Sequence, residues 1–280
     1  MSIPGGAEWA PTRIHRLIRK LSTSAQTVLV ETNAGEAFAK FPGSSEGEQY
    51  LALEVIGVEA ARFLGLRTFD TAIVQNPHPG LVELEPGRPC KAGPVFVSRA
   101  EKGTTWSGDS DDLSLVVNPT AISGLLVLDT WLQNCDRYRQ GDRVRENLGN
   151  VFISREVRTK KRGHFELVAM DHTHIITCGR TVTNRVSRID QTRERKLYGN
   201  FPGFREHVFE TDVRRFLTKL AQFQAEDAWR IISQLPREWL PGQEIRAAIV
   251  EYLVSRAAFV SLNLGTILAD AGWINWQIEL

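Results

Sequence analysis

Residues 125–176 contain three patterned segments: LLVLDTWLQNCDR (125–137), ENLGNVFI (146–153) and ELVAMDHTHII (166–176). The first has apolar residues at helical spacing, which predicts a helix over residues 121–133 that ends in a loop containing Asp136. The other two are short apolar runs, which predict the strands Val151–Ile153 and Phe165–Met170. We expect these strands to pair as a hairpin beside the Asp136 loop.

Polar residues flank both strands of this predicted hairpin at one end. Asn150 directly precedes the first strand, and Asp171 directly follows the second. The start of one strand and the end of the next lie side by side in an antiparallel pair, so these side chains should be neighbours. Two oxygen-bearing side chains suit a hard cation such as Mg²⁺ that also takes phosphate oxygens. Asn147 is a competing ligand, and Asn150 is preferred because the strand starts directly after it.

The first hundred residues have the pattern of a small sheet that carries one helix. Asn33-Ala34-Gly35 is a good hairpin turn, and apolar residues recur at helical spacing from Glu48 to Gly65. The predicted strands are Val28–Glu31, Glu36–Phe41, Thr68–Val74 and Pro94–Ser98.

Two charged residues are out of keeping with their surroundings in this part. Lys40 lies in the strand Ala37-Phe38-Ala39-Lys40-Phe41, and Glu54 lies on the apolar stripe of the helix. A carboxylate that faces a sheet is costly to desolvate unless a cation meets it, so we predict that Lys40 pairs with Glu54.

Residues 103–112 are polar and turn-rich, which predicts a boundary between two lobes. Helix formers at apolar periodicity dominate from Glu206 onward. The predicted fold class is therefore α+β. A small antiparallel N-terminal lobe (1–102) carries one helix, and a larger, mainly helical lobe (103–280) follows it.

Composition sets the broad class of protein. The 280 residues are 42% hydrophobic and 24% charged, with a net charge of +1, which is ordinary for a soluble globular protein. So little excess charge gives no case for a nucleic-acid or membrane partner. The three cysteines lie far apart in the sequence, so it shows neither a disulfide framework nor a CxxC motif. The most apolar stretch, 120–132, is too short to cross a bilayer. We expect a cytoplasmic protein.

Protein-kinase-like folds place their functional residues in a fixed order along the chain. The order is a Lys on a strand, a Glu on a helix, an Asp in a loop with a following Asn, and an Asp after the next strand. The three segments quoted above, with those listed below, resemble the compact bacterial HipA-like kinases. That family shares its Asp-Arg and Asp-His motifs with phosphatidylinositol kinases. The resemblance covers residues 22–176 and fades in the C-terminal helices. Its further segments are GEAFAKFPG (35–43), the run from Tyr50 to Val74 and GPVFVSRA (93–100).

The resemblance implies an ATP- and Mg²⁺-dependent two-lobed kinase that phosphorylates a hydroxyl, most simply that of a protein Ser or Thr. Lys40 would bind the α- and β-phosphates and pair with Glu54, and Asp136 would be the catalytic base. Asn150 and Asp171 would hold Mg²⁺. The remaining nucleotide contacts would come from the hinge, through backbone groups of Phe96, Val97 and Ser98, and from the phosphate-covering loop, through Ser22 and Ser24. An antitoxin-like protein partner is also implied.

Two departures from the pattern leave alternatives open. The chain has neither GxGxxG nor GxxxxGK[ST], and the loop between Asp136 and Asn150 carries a charged insert, residues 138–146. These features favour a nucleotide-binding pseudokinase scaffold as an alternative. A small-molecule or lipid kinase is the alternative among enzymes.

Other polar clusters receive plainer interpretations. His164, Asp171, His172 and His174 lack the spacing of common zinc motifs. The basic run over 155–162 predicts a solvated turn. Asp129, on the apolar stripe of its helix, is expected to cap backbone amides of the Asp136 loop.

Overall fold

The structure is a computed structural model that describes residues 9–23, 25–139, 144–156, 165–274 and 276. By its internal contacts the chain divides into two units. The first comprises Met1–Leu51 and Phe69–Ala100, and the second comprises Ala52–Thr68 and Glu101–Leu280. The assignment of nucleotide binding to 1–102 and of catalysis to 103–280 stays a prediction.

The first unit is built on an antiparallel sheet of five strands in the order β1-β2-β3-β7-β4. One face of this sheet packs on a core of small and branched residues such as Val30, Ala37 and Val97. The strands of this unit are β1 (Ile14–Lys20), β2 (Val28–Thr32), β3 (Gly35–Lys40), β4 (Thr71–Asn76), β5 (Glu83–Glu85), β6 (Arg88–Pro89) and β7 (Gly93–Arg99).

Strand alternation places Lys40 on the face of the sheet opposite this core. Ala37 and Ala39 belong to the core cluster, so Lys40 and Phe38 project the other way. Lys40 is buried, and it pairs in register with Phe96 on β7.

The helix α1 (Gln49–Leu64) begins in the first unit and continues in the second. The predicted strand after it starts later than expected. Thr68 makes an isolated bridge to Ala169 in the second unit, and β4 itself begins at Thr71.

The second unit contains the predicted hairpin, with Val151 opposite Ala169 and Ser154 opposite Glu166. This register confirms the hairpin. The strands of the unit are β8 (Gly103–Thr105), β9 (Tyr138–Arg139), β10 (Arg145–Glu146), β11 (Val151–Ser154) and β12 (Glu166–Ala169), with β11 between β8 and β12.

Helices supply the rest of the second unit, as the sequence predicted. Short 3₁₀ turns lie at Leu148–Asn150, Asn184–Ser187 and Pro202–His207. The α-helices are α2 (Ser110–Ser114), α3 (Thr120–Leu132), α4 (Ile189–Thr192), α5 (Glu210–Leu220), α6 (Ala225–Ser233) and α7 (Gln243–Asp270).

The helix α7 is long and apolar enough to cross a bilayer by length and composition. Half of its most apolar window is buried, and it packs against α3, α5 and α6. Its Arg256 is fully buried and donates to backbone carbonyls, including that of Thr130 at 3.0 Å. These contacts are those of a core helix.

Candidate active site

Asp136 lies in the loop after α3, and its side chain is buried. The helix ends where Gln133 adopts a left-handed conformation with φ 54°, which turns the chain. The backbone N–H of Asp136 then donates to the side-chain oxygen of Asn134 at 3.2 Å, a local turn typical of asparagine. The sequence Asn134-Cys135-Asp136 therefore fixes the backbone from which the carboxylate projects.

Two asparagine amides donate to the same oxygen of this carboxylate. Asn150 Nδ2 lies 3.0 Å from Asp136 Oδ2, and Asn147 Nδ2 lies 3.2 Å from it. Asn150 is buried and ends the 3₁₀ turn that leads into β11, whereas Asn147 is half-buried. Both candidates for the metal ligand thus lie at Asp136, and the choice between them stays a prediction.

Asp171 lies two residues after the end of β12, at the end of the hairpin where β11 begins. It has a left-handed backbone with φ 53°, which is uncommon for a residue other than glycine and recurs at functional sites. Its Oδ1 accepts a hydrogen bond from the Thr173 hydroxyl at 3.0 Å. We call this end of the hairpin, with Asp136, Asn147, Asn150 and Asp171, the hairpin mouth.

Glu54 anchors the chain next to Asp171. Its Oε2 accepts a hydrogen bond from the backbone N–H of His172 at 3.0 Å, and both residues are buried. The His172 side chain lies against Gly57 of the same helix, where an added Cβ would be 2.1 Å from the Cβ of His172. A glycine at position 57 is what allows this approach. The pairing of Glu54 with Lys40 stays a prediction.

A buried arginine braces the hairpin mouth. Arg137 Nε lies 2.7 Å from Asp129 Oδ2, and both side chains are fully buried. Its other guanidinium nitrogens donate to the backbone carbonyls of Asn150 and, at 2.8 Å, of Met170. One side chain thereby joins the residue before β11 to the residue after β12.

The expectation that Asp129 caps backbone amides of the loop is wrong. Its carboxylate instead accepts hydrogen bonds from two side chains, the Arg137 guanidinium and the Asn134 amide, the latter at 3.1 Å. Burial raises the pKa of the Asp129 carboxyl, and the neighbouring Arg137 opposes this shift.

Two further side chains approach Asp136. Arg145, from β10 within the charged insert, lies 2.9 Å from Oδ1, and its side chain is 65% exposed. His174 Nδ1 lies 3.6 Å from Oδ2 and 3.1 Å from the Thr173 hydroxyl. Sequence reasoning missed both neighbours, because a single arginine in a charged insert and a histidine weighed for zinc carry no signal of contact with Asp136.

The predicted phosphate-binding residues belong to the first unit. Lys40 ends β3 and is buried. Ser22 is exposed in the turn between β1 and β2, and Ser24 lies outside the described residues. Their roles toward a nucleotide stay predictions.

The predicted hinge residues belong to the sheet of the first unit. Phe96, Val97 and Ser98 lie within β7, which pairs on one side with β3 and on the other with β4. The chain passes from the first unit to the second after Ala100, two residues beyond Ser98. The contact of these residues with adenine stays a prediction.

No group of three or more His, Cys, Asp or Glu side chains suited to a metal ion occurs within the described part of the chain. His164, one of the histidines weighed for zinc, lies outside the described ranges. Most of the basic run over 155–162 also lies outside them.

Comparisons with known proteins bear on the fold. Neither a family model nor a curated protein matches the sequence. The crystal structure of the Helicobacter pylori proinflammatory kinase CtkA is similar to this chain, with a TM-score of 0.57 and 13% identity. The similarity covers 90% of this chain and 96% of that one. The protein thus has a mixed α+β, kinase-like fold.

Proposed function

We propose that this protein is a HipA-like kinase that transfers the γ-phosphate of ATP, with Mg²⁺, to a protein Ser or Thr hydroxyl. The observation that carries the proposal is the hairpin mouth. There Asn150 donates to Asp136 at 3.0 Å, and Asp171 follows the strand paired with the one that Asn150 precedes. Similarity in fold to a protein described as a kinase supports it.

The oxygen donors at the mouth fit a magnesium ion. Because the amide nitrogens of Asn147 and Asn150 donate to Asp136, their amide oxygens are the atoms that a hard cation would take. The Asp171 carboxylate supplies the anionic ligand of the set. When bound, the ion would neutralise charge that develops on the phosphate oxygens.

The chain's own residues would supply position and a base. Asp136 would orient the acceptor hydroxyl and take its proton, with Oδ2 held by two amides. Arg137 holds both strand ends, and Glu54 fixes the backbone after Asp171. Lys40 would bind the α- and β-phosphates, and adenine would meet backbone groups of Phe96, Val97 and Ser98.

The remaining features of the proposal rest on the family resemblance. It favours a protein Ser or Thr as acceptor, with a small-molecule or lipid hydroxyl as the alternative. It also suggests an antitoxin-like protein partner. We further propose a cytoplasmic location, without a nucleic-acid or membrane partner.

One observation favours the alternative of a nucleotide-binding scaffold. Arg145 lies 2.9 Å from Asp136 Oδ1, so it takes up one oxygen of the proposed base. Asp136 is the buried partner of this pair, whereas the Arg145 side chain is 65% exposed, so an acceptor hydroxyl can displace the arginine into solvent. The proposal therefore keeps Asp136 as a working base.

The test is to incubate the full chain with γ-labelled ATP, Mg²⁺ and a mixture of serine and threonine peptides. We expect label on the peptides or on the chain itself, located by mass spectrometry. The substitution Asp171→Ala should abolish Mg²⁺-dependent ATP binding in calorimetry and the transfer with it. Asp270→Asn is the matched control, because this carboxylate is 68% exposed in a surface pair.

Three results would contradict the proposal. Equal turnover by wild type and Asp171→Ala would remove the metal assignment. ATP binding without any transfer would favour the scaffold, and label on inositol lipids or small alcohols alone would favour the other enzymes.

A further inference from the structure

Two cysteines that are far apart in the sequence meet beside the proposed base. Cys135 directly precedes Asp136, and its thiol donates to the carbonyl of His174, four residues before Cys178. The backbone brings the two segments together, since the Ile176 N–H donates to the Leu132 carbonyl at 2.6 Å. Each sulfur also lies 3.9 Å from a carbonyl of the other segment, Cys135 from that of His174 and Cys178 from that of Gln133.

The two thiols differ in access and in acidity. Cys135 is buried, whereas Cys178 is partly exposed. The pKa of Cys178 is lowered, chiefly by the hydrogen bond from Cys135 and also by Arg139 and Arg180, whereas that of Cys135 is raised. A partly exposed thiolate close to arginines is the form that peroxides oxidise.

The segment that carries Cys178 has an unusual backbone. Ile176 has φ 65° and Cys178 has φ 52°, both in the left-handed region that residues other than glycine rarely adopt. For the β-branched Ile176 this conformation is strained. Strain of this kind recurs at sites that switch between two arrangements.

We propose that Cys135 and Cys178 form a redox-sensitive site, in which a hydroperoxide converts the dithiol to a disulfide and thereby slows phosphoryl transfer at Asp136. The second part of this inference rests on the proposed function, and the first does not.

The chemistry proceeds in two steps. The Cys178 thiolate attacks the hydroperoxide, the O–O bond breaks, and with one proton the products are a sulfenic acid on Cys178 and an alcohol or water. The Cys135 sulfur then attacks the Cys178 sulfur, so that an S–S bond forms and the S–O bond breaks. Hydroxide leaves and becomes water with the Cys135 proton, and the hydroperoxide is the oxidant for both electrons.

Disulfide formation would move the Asp136 loop. The two sulfurs must approach to about 2.05 Å, so the segments that carry Cys135 and Cys178 must move toward each other. A displacement of about 1 Å near reacting groups lowers a rate by about a hundredfold. We expect a loss of at least about tenfold, because part of the shift can fall on the Cys178 segment.

The test is peptide mapping of the full chain under non-reducing conditions after treatment with hydrogen peroxide. We expect a Cys135–Cys178 crosslink that dithiothreitol reverses. Cys90 should remain a free thiol, because it is buried in the first unit. In Cys135→Ser, dimedone should trap the sulfenic acid on Cys178. In Cys178→Ser, the crosslink should be lost and transfer by the reduced protein retained.

The outcomes separate the two parts. Oxidation of Cys178 to sulfinic acid without a crosslink, or crosslinks through Cys90, would overturn the redox site. A crosslink with unchanged transfer would overturn its effect on Asp136. If the reduced chain transfers no phosphate, the proposed function fails, while the peptide map still decides whether the dithiol is oxidised.

Discussion

Buried arginines hold both ends of the β11–β12 hairpin, but they use different partners. At the end where β11 finishes, Arg67 lies 2.6 Å from Glu101 and 2.9 Å from Glu166, and all three side chains are buried. At the mouth, Arg137 bonds one carboxylate, Asp129, and two backbone carbonyls. We call the former end, with Arg67, Glu101 and Glu166, the far end.

The difference explains why chemistry is proposed at only one end. At the far end both carboxylates are engaged by the arginine, and Glu101 also accepts from Ser154 at 2.7 Å. At the mouth Arg137 bonds Asp129 and main-chain oxygens, so Asp136 is held instead by asparagine amides and by Arg145, whose side chain is largely exposed. The far end uses both of its carboxylates in buried ion pairs, whereas the mouth leaves the Asp136 carboxylate for the proposed role as base.

The largest effect is expected from breaking the brace at the mouth. Arg137→Ala leaves Asp129 buried without its cation, which should lower the free energy of unfolding by about 3–5 kcal/mol. Urea denaturation measures this loss. Arg195→Ala is the control, since that arginine is 54% exposed in a surface pair and should matter by less than about 1 kcal/mol. A loss as small as that of the control would contradict the brace.

The same variant should respond to pH with a definite sign. Burial already raises the pKa of Asp129 in the folded protein, so its contribution to stability is full below the ordinary value of 3.8 and is lost as pH rises through the raised pKa. Removing Arg137 raises that pKa further. The deficit of Arg137→Ala relative to wild type should therefore shrink at pH 4 compared with pH 7. A deficit that grows on acidification would contradict this sign.

The far end should separate stability from activity. Arg67→Ala leaves Glu101 and Glu166 buried together, so we expect a loss of about 3 kcal/mol or more in the free energy of unfolding. The rate of phosphate transfer per folded molecule should nevertheless change by less than about threefold. Arg67 lies at the opposite end of the hairpin from the mouth, and a large effect on the rate needs a displacement of about 1 Å at the reacting groups. Rates are compared at a temperature where both proteins are folded. A hundredfold loss of rate would contradict this separation, because it would show that the far end also supports phosphate transfer.

A smaller effect is expected from the helix that supports the mouth. Gly57→Ala would place a Cβ 2.1 Å from that of His172, so the backbone after Asp171 must shift. We expect a loss of about 1–3 kcal/mol in stability from overpacking, together with weaker Mg²⁺-dependent ATP binding. Glu59→Ala on the same helix is the control, because its partner Arg62 is at the surface. Unchanged melting and binding in Gly57→Ala would contradict the packing argument.

The smallest effect is expected at the surface pair of the mouth. Arg145→Ala removes a mostly exposed partner of Asp136, worth about 1 kcal/mol or less, which corresponds to about a fivefold change in rate at most. Steady-state kinetics measures it, with Arg195→Ala as control. A larger gain in rate would show that Arg145 holds the protein in an inactive state.

Local pattern was enough to predict the hairpin and its polar ends. Val151–Ile153 and Phe165–Met170 are apolar runs bounded by Asn150 and Asp171, and the observed strands β11 and β12 differ from them by one residue at most. The helices α1 and α3 also begin and end within one residue of the prediction. Their apolar spacing alone specifies them.

Features that depend on distant contacts were not predictable. The strand β1, IHRLIRK, is mostly exposed at the edge of its sheet, so it lacks the apolar alternation that marks a strand. The meeting of Cys135 with Cys178 depends on how the chain returns after β12, which no local pattern records.

The most direct test of the account is the rate of γ-phosphate transfer by Asp136→Asn, a change that keeps the size of the side chain. With folding verified by an unchanged melting temperature, we predict a rate at least about a hundredfold below wild type, the low end for a lost general base. A rate equal to that of wild type would show that phosphoryl transfer, where it occurs, does not use the hairpin mouth.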